Sequence, residues 1–138
     1  MSDIEKCRLI ELQHIRDARG SLNIIESEIH IPFGIERIYY LYDVPEATLR
    51  GAHAHKNLQQ LLIAISGSFD IELDNGSVKK SFHLDRPNQG LYICPMIWRN
   101  LTNFSDKAVC LVLASEKFID SDYIRDYDYF NVLRDQNK

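Results

Sequence analysis

Hydrophobic positions in this chain recur in short runs or strict alternation, broken by turn residues at spacings of roughly 8–12, the rhythm of an all-β domain. Leu22–Glu26 predicts a strand after the turn Ala18-Arg19-Gly20-Ser21. Glu36–Tyr42 is a β-rich run closed by Asp43-Val44-Pro45. Leu58–Ile65 is almost continuously apolar, as expected of a strand buried on both faces. Phe69–Leu73 alternates strictly and leads into Asn75-Gly76, the strongest hairpin signal in the chain. Val78–Leu84 returns as its partner, with Val78, Lys80, Phe82 and Leu84 on one face. Gly90–Pro95 and Ala108–Ala114 complete the β set. Only the tail changes period: Tyr123, Asp126, Tyr127 and Phe130 fall at i, i+3, i+4, i+7, and Val132-Leu133 extend that helical face. About nine strands and a closing helix predict one jelly-roll or barrel domain over residues 1–138.

Composition narrows the function classes. The chain has 138 residues, with sixteen Lys+Arg against twenty Asp+Glu and a net charge of −4, which argues against an electrostatically driven nucleic-acid or membrane binder. No run approaches the roughly 18 apolar residues of a membrane span, and Met1–Glu5 does not read as a signal peptide. Cys7, Cys94 and Cys110 are odd in number and lack metal spacing, so a reduced, cytoplasmic protein is expected. An anionic ligand must then find its arginines locally.

Candidate chemistry concentrates in Arg50-Gly51-Ala52-His53-Ala54-His55-Lys56. On a strand, His53 and His55 project the same way, about 7 Å apart, and the small residues around them leave room for a ligand. The pair resembles the first half of a cupin metal signature, but Gln60 stands where the acidic ligand belongs. Gly90…Pro95 keeps the second turn and offers Arg99 and Asn100 in place of a histidine. With two of the expected donors missing, acid/base work is the better reading, since imidazole titrates near neutrality. Removing a proton from carbon requires an adjacent carbonyl and donors that hold the resulting enediolate. Arg37, Tyr39 and Leu41 share one strand face and Ile38, Tyr40 and Tyr42 the other, so an inward Arg37 brings Tyr39 with it.

These residues are similar to a known family, the dTDP-4-keto-6-deoxyglucose 3,4-ketoisomerases. The likeness runs through Asp17–Leu22, Pro32–Tyr40, Arg50–Lys56, Gly90–Ile93, Leu113–Ser115 and Asp122–Phe130, nearly the whole chain. The resemblance implies an all-β, cupin-type jelly-roll barrel with a short C-terminal helix. It implies a metal-free, cofactor-free isomerase of a dTDP-linked keto sugar, a homodimer sharing strands, and a place in deoxyamino-sugar synthesis for surface polysaccharide. His53 and His55 fall on the family's catalytic histidines, and a catalytic tyrosine lies in the Tyr39-Tyr40 pair, with strand parity favouring Tyr39. Arg19 and Arg50 match positions expected to meet the diphosphate; Arg37, Tyr40, Lys56, Trp98 and Arg99 are further substrate-binding candidates. One departure is that Trp98-Arg99-Asn100 replaces the family's usual Trp-His-Glu. The rival readings are a deoxysugar epimerase, a non-catalytic dTDP-sugar binding module and a metal-dependent cupin oxygenase.

Overall fold

The computed structural model describes residues 3–136. A 3-10 turn at Asp3–Lys6 leads into twelve strands: β1 (Arg8–Glu11), β2 (Gln13–Asp17), β3 (Gly20–Ile24), β4 (Arg37–Leu41), β5 (Arg50–His55), β6 (Gln60–Ser66), β7 (Phe69–Asp74), β8 (Lys79–Leu84), β9 (Gln89–Ile93), β10 (Trp98–Thr102), β11 (Val109–Ala114) and β12 (Tyr123–Ile124). A second 3-10 turn, Asp120–Asp122, precedes β12, and helix α1 spans Tyr127–Gln136. All pairings are antiparallel.

Two five-stranded sheets, ordered β1-β9-β6-β11-β4 and β12-β5-β10-β7-β8, enclose the core, and β2-β3 forms a separate ribbon. The result is a jelly roll of two facing sheets that do not close into a continuous barrel. Leu61, Leu62 and Ile63 from β6 meet Phe69, Ile71 and Leu73 from β7, together with Leu91, Ile93, Leu101 and Val112. Strict alternation on β7 places those three side chains inside and leaves Asp70 and Glu72 half-buried. The near-continuous apolar run of β6 is buried from Gln60 to Ala64.

The β7–β8 connection shows how sequence becomes geometry. Gly76 takes the left-handed φ of +94° that the Asn-Gly signal requires. Asn75 Oδ1 accepts the backbone N–H groups of Ser77 and Val78 at 2.9 and 2.7 Å, closing the turn with a side chain. Helix α1 docks there, with Tyr127 donating its hydroxyl to Asp74 Oδ2 at 2.7 Å.

The tail differs from the helix its periodicity predicts. Tyr123 and Ile124 pair with His55 and Ala54 as an edge strand, and the helix begins only at Tyr127. Asp126 sets that start: its Oδ1 accepts the Asp128 N–H and its carbonyl the Phe130 N–H, both at 2.9 Å. Phe130 and Ile124 then cover Trp98 and Ala54 in a second small core on the outer face of the sheet.

Candidate active site

The site lies between the sheets, where β4, β5, β10 and β12 present side chains to one cleft. Arg37, Tyr39, Leu49, Arg50, Gly51, His53 and Tyr123 line an opening of about 460 Å³. A narrower recess of about 70 Å³ beyond it reaches Gln60 and Arg99.

A bulge in β5 shapes this wall. Against β10 the register jumps from Arg99↔His53 to Asn100↔Gly51, leaving Ala52 as the extra residue. Gly51 and Ala52 adopt left-handed φ values of 82° and 55°. A Cβ on Gly51 would meet the Arg99 carbonyl oxygen at 3.0 Å, so only glycine fits without displacing β10. The local coiling turns the Gly51 carbonyl onto His53 Nδ1 at 3.0 Å. A carbonyl only accepts, so Nδ1 carries the ring proton and Nε2 keeps its lone pair. The two imidazoles meet edge to face with centroids 4.8 Å apart, closer than the strand spacing implies. Tyr123 lies 5.2 Å from the His53 ring and 4.4 Å from that of His55.

His55 is fully buried, and its Nδ1 lies 3.1 Å from Asp122 Oδ2. Burial pushes both histidines far toward the neutral form, with the Arg99 cation reinforcing it. The pKa of His53 falls to about 4 and that of His55 to about 2.

Arg99 is the largest fully buried side chain of the described residues, and burial depresses its pKa. Its Nη2 donates to the Ile97 carbonyl at 2.9 Å and its Nη1 to Gln60 Oε1. A guanidinium only donates, so the Gln60 amide must face it with oxygen. Gln60 Nε2 then donates to the Tyr39 hydroxyl at 2.9 Å, leaving the phenolic proton free to point elsewhere. Burial raises the Tyr39 pKa and keeps it protonated. Among the described residues the buried side-chain nitrogens and oxygens without a hydrogen-bond partner are Arg37 Nε, His53 Nε2, His55 Nε2 and Arg99 Nε. Arg37, His53 and Arg99 line the cleft or its recess, and the His55 ring packs against that of His53. A divalent metal does not fit: the guanidinium and the amide beside the imidazoles are not anionic donors, and the buried cation repels another.

The structure brings together Tyr39, His53, Arg37, Arg50 and Arg99, with His55 directly behind His53. Four further candidates lie elsewhere. Tyr40 is 61% exposed on the opposite face of β4, as alternation requires, with its ring tilted beside that of Tyr42 at 5.8 Å. Trp98 projects away from Arg99 and packs against Tyr127 and Phe130 beneath the helix. The Lys56 side chain is exposed beyond the end of β5. Arg19 is 91% exposed at the tip of the β2–β3 ribbon, ion-paired to Asp17 at 2.7 Å. Sequence reasoning missed Asp122 and Tyr123 as site residues because a helical period masked the edge strand carrying Tyr123.

Residues 5–135 match the family model described as FdtA: WxcM-like, C-terminal. The chain is 43% identical over 123 residues to a TDP-4-oxo-6-deoxy-α-D-glucose-3,4-oxoisomerase from Aneurinibacillus thermoaerophilus, covering 89% of this chain and 88% of that one. Among solved structures, a 3,4-ketoisomerase from Helicobacter canadensis is 46% identical, with a TM-score of 0.91 over 94% of this chain and 97% of the other. A variant 3,4-ketoisomerase from Thermoanaerobacterium thermosaccharolyticum, in complex with TDP-4-keto-6-deoxyglucose, is 41% identical with a TM-score of 0.92 over 94% of each chain. The match of residues 5–135 to one family model, with 43% identity to a relative over 89% of the chain, places this chain in the FdtA, WxcM-like C-terminal family.

Proposed function

We propose that the protein converts a TDP-4-keto-6-deoxyhexose into the corresponding 3-keto sugar. The observation that carries this reading is that three buried, unpartnered nitrogens, on Arg37, His53 and Arg99, belong to residues lining one cleft and its recess. Such atoms are costly unless a ligand engages them. The relatives' names supply the ligand class.

The C4 ketone acidifies the C3–H bond. His53, with Nε2 free and its ring neutral at physiological pH, takes that proton. Electrons move into the C4 carbonyl to give an enediolate, whose charge develops beside the Arg99 guanidinium. Tyr39, its lone pair engaged by Gln60, donates its proton to O4 and recovers one from O3. An imidazole proton then adds to C4 and the carbonyl reforms at C3. The net change moves one hydrogen from C3 to C4 and one from O3 to O4, with no external oxidant. Arg37 and Arg50, at the mouth, suit diphosphate oxygens.

The same reading includes a homodimer with shared strands. Strand β4 is a sheet edge whose outer face leaves Ile38 and Tyr40 59% and 61% exposed. The detached β2–β3 ribbon exposes Ile15 and Leu22. A partner's ribbon laid against β4 covers both surfaces and carries Arg19 toward the cleft that Arg37 and Tyr39 line. Incubation with TDP-4-keto-6-deoxyglucose in D₂O, followed by proton NMR, tests the reaction. Loss of the C3 proton signal as a 3-keto sugar appears, carrying hydrogen or solvent deuterium at C4, supports it. Exchange at C5 instead makes the protein an epimerase, and binding without exchange makes it a sugar-nucleotide binding module.

A further inference from the structure

We infer that Asp122 is a positioning residue for the reaction: it holds His55 as the Nδ1–H tautomer, so that both imidazoles of the pair keep Nε2 proton-free. The inference rests on the ketoisomerase reading for its kinetic consequence, but its structural content stands alone.

Asp122 is 6% exposed and engaged on every side. Its Oδ1 accepts the Asn57 backbone N–H at 2.8 Å, and its carbonyl accepts that of Lys56 at 2.9 Å. Its own N–H donates to the Ile119 carbonyl at 3.1 Å. The carboxylate therefore cannot swing, and Oδ2 faces His55 Nδ1 at 3.1 Å. An ionised carboxylate only accepts, so the proton between them belongs to Nδ1. His55 Nε2, on the far side of the ring, is buried without a partner, as is His53 Nε2. The His53 tautomer is fixed by the Gly51 carbonyl and that of His55 by a carboxylate, two different devices with the same outcome.

The segment carrying Asp122 performs a second task at the next residue. Tyr123 pairs with His55 across the strand and lays its ring against both imidazoles. Residues 122 and 123 thus hold the pair from behind and beside, and α1 begins only after both are placed.

Asp122→Asn keeps an oxygen for the Asn57 N–H and turns its amide NH₂ toward His55 Nδ1. That NH₂ donates, so His55 must move its proton to Nε2. Two-dimensional long-range ¹H–¹⁵N spectra of the imidazoles read this directly. The expected result is wild-type His53 and His55 both protonated on Nδ1, with only His55 switching in Asp122→Asn. TDP affinity should stay within about threefold while kcat falls by about 10² or more, against roughly 10⁴ where the carboxylate fixes the tautomer of the catalytic base itself. A wild-type His55 protonated on Nε2 overturns the inference, whatever the variant does. So does a variant in which His55 keeps its Nδ1 proton, or one in which the tautomer switches at unchanged kcat. Wild-type protein that catalyses no C3 exchange removes the ketoisomerase reading, while the spectra still decide the tautomer.

Discussion

The bulge at Gly51 links fold and chemistry, and Gly51→Ala separates their contributions. The residue sits at φ +82°, where an L side chain costs about 1–2 kcal/mol. The added Cβ would meet the Arg99 carbonyl oxygen at 3.0 Å and Arg99 Cγ and Leu101 Cδ1 at 3.3 Å. Backbone cannot rotate aside, so β5 must move off β10 by a few tenths of an ångström. Alanine also stiffens the unfolded chain, which returns about 0.4–1 kcal/mol. With the displacement of packed backbone costing about 1–3 kcal/mol more, the net expectation is a loss of about 2 kcal/mol, a fall in melting midpoint of roughly 6–10 °C for a chain of this size. The same displacement pulls the Gly51 carbonyl from His53 Nδ1 and frees the tautomer, so kcat should fall about tenfold or more. Ala52→Gly is the matched control: its φ of 55° already suits glycine, so stability should change little and turnover should survive. Urea unfolding followed through the buried Trp98, together with initial rates, measures both. Gly51→Ala within about 0.5 kcal/mol of wild type and fully active would refute the assigned role of the bulge.

Two further outcomes follow from burial and exposure. Because His53 is held near 4 rather than 6.5, kcat/KM, which reports the free enzyme, should stay flat from neutral pH down to about 5 and fall only below it. The unfolded chain takes up the His53 proton as pH drops through 6.5, whereas the folded protein takes it up only near 4. The His53 contribution to stability is therefore full above 6.5 and declines across that window by roughly 3 kcal/mol, and His55, depressed further, adds its own loss in the same direction. His53→Asn should make the decline shallower, leaving the His55 part, and parallel stability curves for the two proteins would contradict the assigned burial of His53. Sedimentation equilibrium should give twice the 16.1 kDa chain mass, with Tyr40→Lys shifting the protein toward monomer and lowering turnover; a fully active wild-type monomer would remove the shared-strand dimer.

How much the sequence discloses varies with what each strand does. β6 is readable from its near-continuous apolar run, and β7 and β8 from an alternation that puts Phe69, Ile71, Leu73, Phe82 and Leu84 on the core side. β10 is not, because its inward residue is Arg99: a polar group placed for chemistry erases the alternation that marks a strand. β2 escapes for the opposite reason, since all five residues are exposed on a ribbon outside the core. Parity correctly separates Tyr39 from Tyr40, whereas no periodicity shows that Trp98 turns toward the helix when Arg99 turns inward. The histidine pair is legible from its small neighbours. Asp122 is not, because it reaches His55 across 67 positions of chain. Its neighbours Tyr123, Asp126, Tyr127 and Phe130 form a helical pattern that continues into a real helix, and that pattern conceals the edge strand before it.

The central claim is that His53 carries a proton from C3 of the bound sugar. It is tested most directly by incubating wild type and His53→Asn with TDP-4-keto-6-deoxyglucose in D₂O and following the C3 proton signal. The account predicts loss of that signal with wild type, growth of the 3-keto product, and a silent spectrum with His53→Asn at nearly unchanged TDP affinity. Undiminished exchange by His53→Asn would contradict it.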